Sequence, residues 1–343
     1  MKLTTLNIKS TPYNLVMSAL YKGEKGTRPP VATITSTVCQ DLMDFTGISF
    51  PQAHLDPNAM AELALAGHET IGFDTVMPEY SVHQEAAALG CDVDWGNRDM
   101  MPDSRNFPHE DFSDIEIPDN ILEKPSMRVV LDALSILRRH AGGKVAVVGK
   151  VMGPWTIAYH MVGTQNFLLH VGLGETDKIK KMLHQLMSIS ILFAKAQFRA
   201  GADIVIMADH ATGNLVGAYH YKELLLPIHR EINNSVEGPL ILHVCGNCQD
   251  RLELFADAGW HGYHFEWQTD SKTAVEKVGK RMCLTGNISN VHALFQGTPE
   301  DVRRQARYAI EAGVDIISPE CAIPLTTPIE NLKALVAAVR EGY

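Results

Sequence analysis

Pro239-Leu240-Ile241-Leu242-His243-Val244-Cys245-Gly246 reads as a buried strand that ends in a metal-binding pair. Leu240, Ile241, Leu242 and Val244 form an apolar run of strand length, and Gly246 closes it. His243 and Cys245 are two residues apart, so on a strand they share one face. An imidazole beside a soft sulfur suits zinc. Alone the pair is ordinary, because buried histidines and cysteines occur in many cores.

Outward from this strand the chain alternates. Ile204–Ala208 is the strand before it, reached by a long helix whose stripe is Ile179, Met182, Leu183, Leu186, Ser190 and Phe193. Lys144–Val151, Asp74–Tyr80 and Val31–Ile34 are earlier strands, and a short helix is expected at Tyr13–Leu20. Downstream, Gly262–Phe265, Met282–Thr285 and Val314–Ser318 alternate with helices at Arg251–Ala258, Lys272–Val278 and the segment capped by Thr298-Pro299-Glu300. Thr327-Pro328-Ile329-Glu330 has the capping-box form that opens a last helix. Eight strands separated by helices predict a (β/α)8 TIM barrel, with an N-terminal helical extension. An open doubly wound sheet is disfavoured, since Thr35-Ser36-Thr37-Val38-Cys39 after the first strand is no glycine-rich phosphate loop. Residues 91–124 are rich in Asp, Asn, Pro and Met without a clean period, and predict a surface excursion from one domain spanning 1–343.

The 343 residues are 45% hydrophobic, enough for a large core, and carry a formal net charge of −10. That charge argues against nucleic-acid and anionic-membrane partners. No run approaches the ~18 apolar residues that span a bilayer, and no basic-then-apolar leader opens the chain. Six cysteines are too sparse for a disulfide framework, so a cytoplasmic protein with free thiols is expected.

In a barrel, chemistry gathers at the C-terminal ends of the strands. The opening strand brings His243 and Cys245 there, the next leads into Glu266, and the last ends at Ser318-Pro319-Glu320-Cys321. His243, Cys245 and Cys321 make a mixed N/S set, with Glu266 or a substrate atom for the fourth position. Asp209, at the end of the preceding strand, is a candidate to orient substrate. Taken singly, Cys321 is a small buried hydrophobe, Glu266 a solvated loop acid, and Asp209–Asn214 and Gly286–Ser289 simple turns. Cys248 completes a Cys-x-x-Cys pattern and is a reserve ligand only. Gly153-Pro154-Trp155-Thr156 is placed to shape the barrel mouth.

These residues resemble the uroporphyrinogen decarboxylase superfamily over nearly the whole chain, and within it the methylcobalamin:coenzyme M methyltransferases. The resemblance rests on Leu242-His243-Val244-Cys245-Gly246-Asn247, Thr285-Gly286-Asn287-Ile288-Ser289, Gly297-Thr298-Pro299-Glu300-Asp301-Val302, Glu311-Ala312-Gly313-Val314-Asp315, Cys321 with Pro328-Ile329-Glu330-Asn331-Leu332, and Glu85–Cys91. It implies bound zinc on His243, Cys245 and Cys321, a fourth ligand at Glu266 as in cobalamin-independent methionine synthases, and a separate corrinoid protein carrying the methyl group to a small thiol. The chain departs from the pattern in three places. The arginine-bearing motif for porphyrin carboxylates is replaced by Val31-Ala32-Thr33-Ile34, which speaks against the decarboxylase; His210 stands where a proline is expected; and Trp267 follows Glu266 in place of a second acid. The expected reaction is thiolate attack on a methyl-corrinoid. Its alternatives are a methyltransferase acting on a methoxy or methylamine donor, uroporphyrinogen decarboxylase, and a non-enzymatic zinc-sensing or corrinoid-binding module.

Overall fold

A computed structural model describes residues 11–23, 26–112 and 115–341. The barrel strands are β1 (Thr75–Val76), β2 (Ala146–Met152), β3 (Ile204–Ala208), β4 (Leu240–His243), β5 (Gly262–Phe265), β6 (Cys283–Ile288) and β7 (Ile316–Pro319). They pair in that order and every pair is parallel. Such pairing requires a crossover between neighbours, and the intervening helices supply it. No helix among the described residues is long and apolar enough to cross a membrane.

The eighth position is filled by the segment expected as the first strand, but as an extended stretch with one bridge, Val31 to Ile317. Ala32 donates to the Ile317 carbonyl and Ile317 to that of Pro30, while Asp74 N–H donates to the Val31 carbonyl. The ring is thereby closed between β7 and β1. A regular ladder fails here for two reasons. Pro29 and Pro30 have no N–H to give. The remaining donors go to side chains instead: Val31 N to Asp74 Oδ2 at 2.8 Å, and Thr33 N to Thr75 Oγ1 at 2.8 Å. Arg28 grips the same Asp74 with both guanidinium nitrogens, at 2.6 and 2.7 Å.

Alternation along the strands divides the core in two. The lumen holds Ala32, Ile34, Met77, Ala146, Val148, Ile204, Ile206, Ile241, Cys283 and Ile316. The helix Pro12–Leu20 plugs the N-terminal end of the ring by adding Val16 and Leu20 to that cluster. The larger outer core lies between the sheet and its helices, where all six stripe residues of helix Thr176–Ala200 are buried. Helix Pro299–Ala312 opens with a full capping box, Thr298 with Asp301. The capping box expected at Thr327 does not form: the last helix begins at Ile329, whose N–H is taken by Asp41 Oδ2 at 3.1 Å, and Thr327 Oγ1 is buried without a partner. A carboxylate from 288 residues away has displaced the local cap.

Of the 91–124 excursion, residues 113 and 114 lie outside the described residues. The rest carries a small antiparallel hairpin, Val93–Asp94 with Asp103–Ser104, and a 3-10 turn at Ile121–Glu123. Trp95 packs its ring on His54 at 5.5 Å, and Ser104 Oγ meets His83 Nδ1 at 3.1 Å.

Candidate metal centre at the mouth of the barrel

On β4 the strand period puts Ile241 in the lumen, and His243 and then Cys245 follow on the same face. Gly246 ends the run at φ +76°, a conformation that disfavours any side chain. A Cβ there would also lie 2.2 Å from Thr212 Oγ1 and 2.4 Å from Asn214 Oδ1, so glycine lets the loops after β3 and β4 press together. Cys321 arrives past the end of β7. Glu320 beside it accepts from Asn290 N at 2.8 Å and Trp267 N at 2.7 Å, tying together the loops after β5, β6 and β7. Burial pushes the Glu320 carboxyl up to about 7.

The three donors converge. Cys245 Sγ lies 3.1 Å from His243 Nε2 and 3.4 Å from Cys321 Sγ, and Cys321 Sγ lies 3.6 Å from His243 Nε2. Tetrahedral zinc with Zn–S of about 2.3 Å and Zn–N of about 2.0 Å implies donor–donor edges of roughly 3.5–3.8 Å. The cluster is within a few tenths of an ångström of that size, and its donors are the soft set that zinc selects. The residues therefore fit the metal that the sequence implies. His243 Nδ1 faces the His264 carbonyl at 3.4 Å, which leaves Nε2 for the sulfurs. Burial pushes the His243 imidazole well below its ordinary value, so it is neutral and free to coordinate. The hydrogen bond with Cys321, together with burial, pushes the Cys245 thiol well up. A divalent cation would reverse that penalty by holding the thiolate.

Two further donors surround these three. Glu266 groups with Cys245 and Cys321, the ligating atoms all within 4.8 Å of one another, and burial raises its carboxyl. His210 groups in the same way with His243 and Cys245. Sequence reasoning left His210 out of the site, although its place at the end of β3 was visible.

Asp209, expected to orient substrate, has both carboxylate oxygens engaged within the protein. Oδ1 accepts from Thr156 N at 2.8 Å, and Oδ2 meets His229 Nε2 at 2.9 Å, with both side chains fully buried. It fixes the start of helix Pro154–Val162 against β3. Gly153 is part of that joint, because a Cβ there would lie 2.3 Å from Asp209 Cγ. Asp209 turns to Thr156 and His229, while its neighbour His210 joins the donor group at the mouth.

Other sequence candidates have structural partners. Asn287 accepts from Ser271 Oγ and donates to the Thr269 carbonyl, and Ser289 caps the helical turn Asn290–Phe295. Cys248 is buried with its thiol against the Cys245 carbonyl at 3.6 Å, and it belongs to neither donor group.

Glu85, in the motif Glu85–Cys91, is fully buried. Its Oε1 accepts from Met152 N at 2.7 Å, whereas Oε2 has no partner. Burial pushes this carboxyl from 4.5 up to about 7. The folded state thus keeps a proton that the unfolded chain releases, so stability falls as pH rises from about 4.5 to about 7 and levels off above. The gap corresponds to about 3 kcal/mol. Urea unfolding across this range should show the Glu85→Gln variant gaining on wild type by up to that amount; parallel curves would contradict it.

The uroporphyrinogen decarboxylase (URO-D) family model matches residues 12–342. The methylcobamide:CoM methyltransferase MtaA of Methanosarcina barkeri is 31% identical over 328 residues, covering 95% of this chain and 96% of the relative. A methylated-thiol–coenzyme M methyltransferase of Methanosarcina mazei is 29% identical, covering 96% and 89%. A solved methyltransferase structure from Methanosarcina mazei superposes with a TM-score of 0.92 at 32% identity, covering 97% of this chain and 99% of that one. With a family match that runs from the first described helix to the last, this chain belongs to the uroporphyrinogen decarboxylase family.

Proposed function

We propose that the protein is a zinc-dependent methyltransferase that moves a methyl group from a methyl-corrinoid, carried on a separate protein in the cytoplasm, to a small thiol such as coenzyme M. The observation that carries this reading is the convergence of His243, Cys245 and Cys321 at the mouth of the barrel, with Glu266 beside the two sulfurs. The names of the relatives, methylcobamide:CoM and methylated-thiol–coenzyme M methyltransferase, support the same chemistry.

His243, Cys245 and Cys321 would hold zinc, which would supply a Lewis acid able to keep a thiol deprotonated at neutral pH, where a free thiol of pKa about 8.5 is only a few per cent thiolate. Full ionisation contributes about 2 kcal/mol at ~1.4 kcal/mol per pKa unit, less what nucleophilicity loses as basicity falls. Positioning must supply much of the remainder. Glu266, its carboxyl raised by burial, is suited to take the thiol proton. Glu320 holds the Glu266 and Cys321 loops at a fixed spacing. In the transfer the carbon–sulfur bond forms as the carbon–cobalt bond breaks. The electron pair of that bond stays on cobalt, giving Co(I). Around the mouth, Trp267 and Leu215 are about half exposed and form an apolar lip suited to a flat macrocycle.

The test is methylation of coenzyme M from methylcobalamin by zinc-loaded protein, with X-ray absorption at the zinc edge before and after thiol is added. A gain of one sulfur neighbour and stoichiometric methyl transfer are expected. Full activity of a metal-free preparation would overturn the assignment.

A further inference from the structure

The loop after β3 delivers a second imidazole to the metal centre. Its backbone is tied down on both sides of His210. Asp209 N donates to the His243 carbonyl at 3.0 Å, and the Ala211 carbonyl accepts from Arg251 Nη1 at 3.0 Å. Thr156 Oγ1 spans the position, accepting from His210 N at 2.8 Å and donating to the Ala208 carbonyl at 3.2 Å. The imidazole itself is not tied. Among the described residues it makes no hydrogen bond or ion pair, and its ring meets that of His243 edge-on, with centroids 6.0 Å apart and planes at 85°. The neighbouring imidazoles are engaged. His264 Nε2 meets the Pro319 carbonyl at 2.8 Å, and His229 meets Asp209 and Tyr221, each at 2.9 Å. A fixed backbone that presents an uncommitted imidazole is a pre-organised ligand position.

His210 and Glu266 both stand outside the triangle of His243, Cys245 and Cys321, and they stand against different edges. His210 groups with His243 and Cys245, and Glu266 with Cys245 and Cys321. One outer donor can therefore hold the metal while the other handles the thiol proton. Charge and softness decide which does which. Two cysteine thiolates balance a divalent cation. A neutral imidazole in the fourth position keeps the centre neutral, whereas a carboxylate leaves one excess negative charge. Excess charge in a buried site costs free energy. Imidazole with sulfur is also the donor set that zinc selects, and carboxylates suit harder cations.

We propose that His210 is the fourth ligand of the thiol-free zinc centre and the one that the entering thiol displaces, with Glu266 left free to take the thiol proton. This inference rests on the reading of the sulfur cluster as a zinc thiol site, and assigns the occupant of its exchangeable position. On entry of the thiol, the bond between zinc and the His210 nitrogen breaks, a zinc–sulfur bond forms, and the thiol proton passes to Glu266. After methyl transfer the sulfur is a neutral thioether and a weak ligand. His210 then returns, and Glu266 releases the proton to solvent. His210 stands where the family pattern leads to proline, so this ligand sets the chain apart from that pattern.

The experiment is X-ray absorption at the zinc edge, which counts sulfurs by their longer bond, about 2.3 Å against about 2.0 Å for nitrogen, and imidazoles by multiple scattering within the ring. Thiol-free wild type should show two sulfurs and two imidazoles. Addition of 2-mercaptoethanesulfonate should change this to three sulfurs and one imidazole. Thiol-free His210→Ala should show two sulfurs, one imidazole and an oxygen, and Glu266→Gln should keep both imidazoles. Chelator competition should find zinc bound by His210→Ala at least about tenfold more weakly than by wild type, the low end of the effect of an outer-shell partner. A single imidazole in thiol-free wild type would overturn the assignment and leave the methyltransferase reading intact. So would a His210→Ala variant whose spectrum and zinc affinity equal those of wild type. Retention of both imidazoles after thiol is added would overturn the displacement. If the protein takes up no zinc, the zinc methyltransferase reading falls and this one with it. Should His210→Ala not fold, His210→Gln replaces it, and the wild-type counts before and after thiol still decide.

Discussion

Cys245→Ser and Cys321→Ala are each expected to leave the barrel folded and to remove zinc and methyl transfer together. Both thiols are half-buried at the mouth, beyond the ends of β4 and β7, so neither carries the packing of the inner or outer core. Each supplies one of the three donors that converge between the ends of β4 and β7. Outer-shell partners of metal ligands typically account for about 10–100-fold in affinity, and loss of a ligand should exceed that. The Lewis acid is worth several kcal/mol in such chemistry, so turnover should fall by about 10³-fold or more. Metal analysis after dialysis, circular dichroism and the methylation assay together check this. Retained zinc and retained activity in both variants would remove the centre from the mechanism. Glu266→Gln should act differently. It retains the three N/S donors, so zinc should stay bound while turnover and its pH profile change.

Asp209→Ala should be the most destabilising single change among the candidate residues, by about 3–5 kcal/mol. The substitution strands the Thr156 N–H and His229 Nε2 in a fully buried site. Asp209→Asn separates a structural role from a catalytic one. The amide oxygen can still accept from Thr156 N, and its NH2 can donate to His229 after a change of imidazole tautomer. Tyr221 Oη, 2.9 Å from His229 Nδ1, can accept the relocated proton. A positioning role therefore predicts that Asn restores most of the stability and most of kcat. A carboxylate that orients substrate predicts a stable Asn variant with collapsed kcat. Chemical denaturation and steady-state kinetics on the two variants decide between them.

Much of this architecture was legible in the chain. β3 and β5 have the bounds expected for them, and β4 holds the apolar run Leu240-Ile241-Leu242. The reason is that a strand buried on both faces must be written as an apolar run, and a helix against a sheet must carry a stripe. The His-x-Cys spacing likewise fixes two donors on one face, whatever surrounds them. Legibility failed where long-range contacts replaced local ones. The eighth strand position looked regular in sequence but is held by Asp74 and Thr75 side chains. The last helix looked self-capped but borrows Asp41.

The site shows the same division. The strand at Leu240 announced a metal pair, and the sequence by itself determined that His243 and Cys245 point together and that their strand is central. Only the tertiary structure brought Cys321, 76 residues on, to 3.4 Å from Cys245, because closure of a ring makes distant strand ends neighbours. Only it chose between Asp209 and His210, since one step along a strand reverses the face a side chain presents. Lys150 is the sharpest case. In the sequence it is a lone charge inside the apolar run Val145–Met152, a signal without an address. In the barrel it is buried, and its Nζ donates to the Glu79 carbonyl at 3.1 Å, a partner 71 residues away that only closure of the ring supplies.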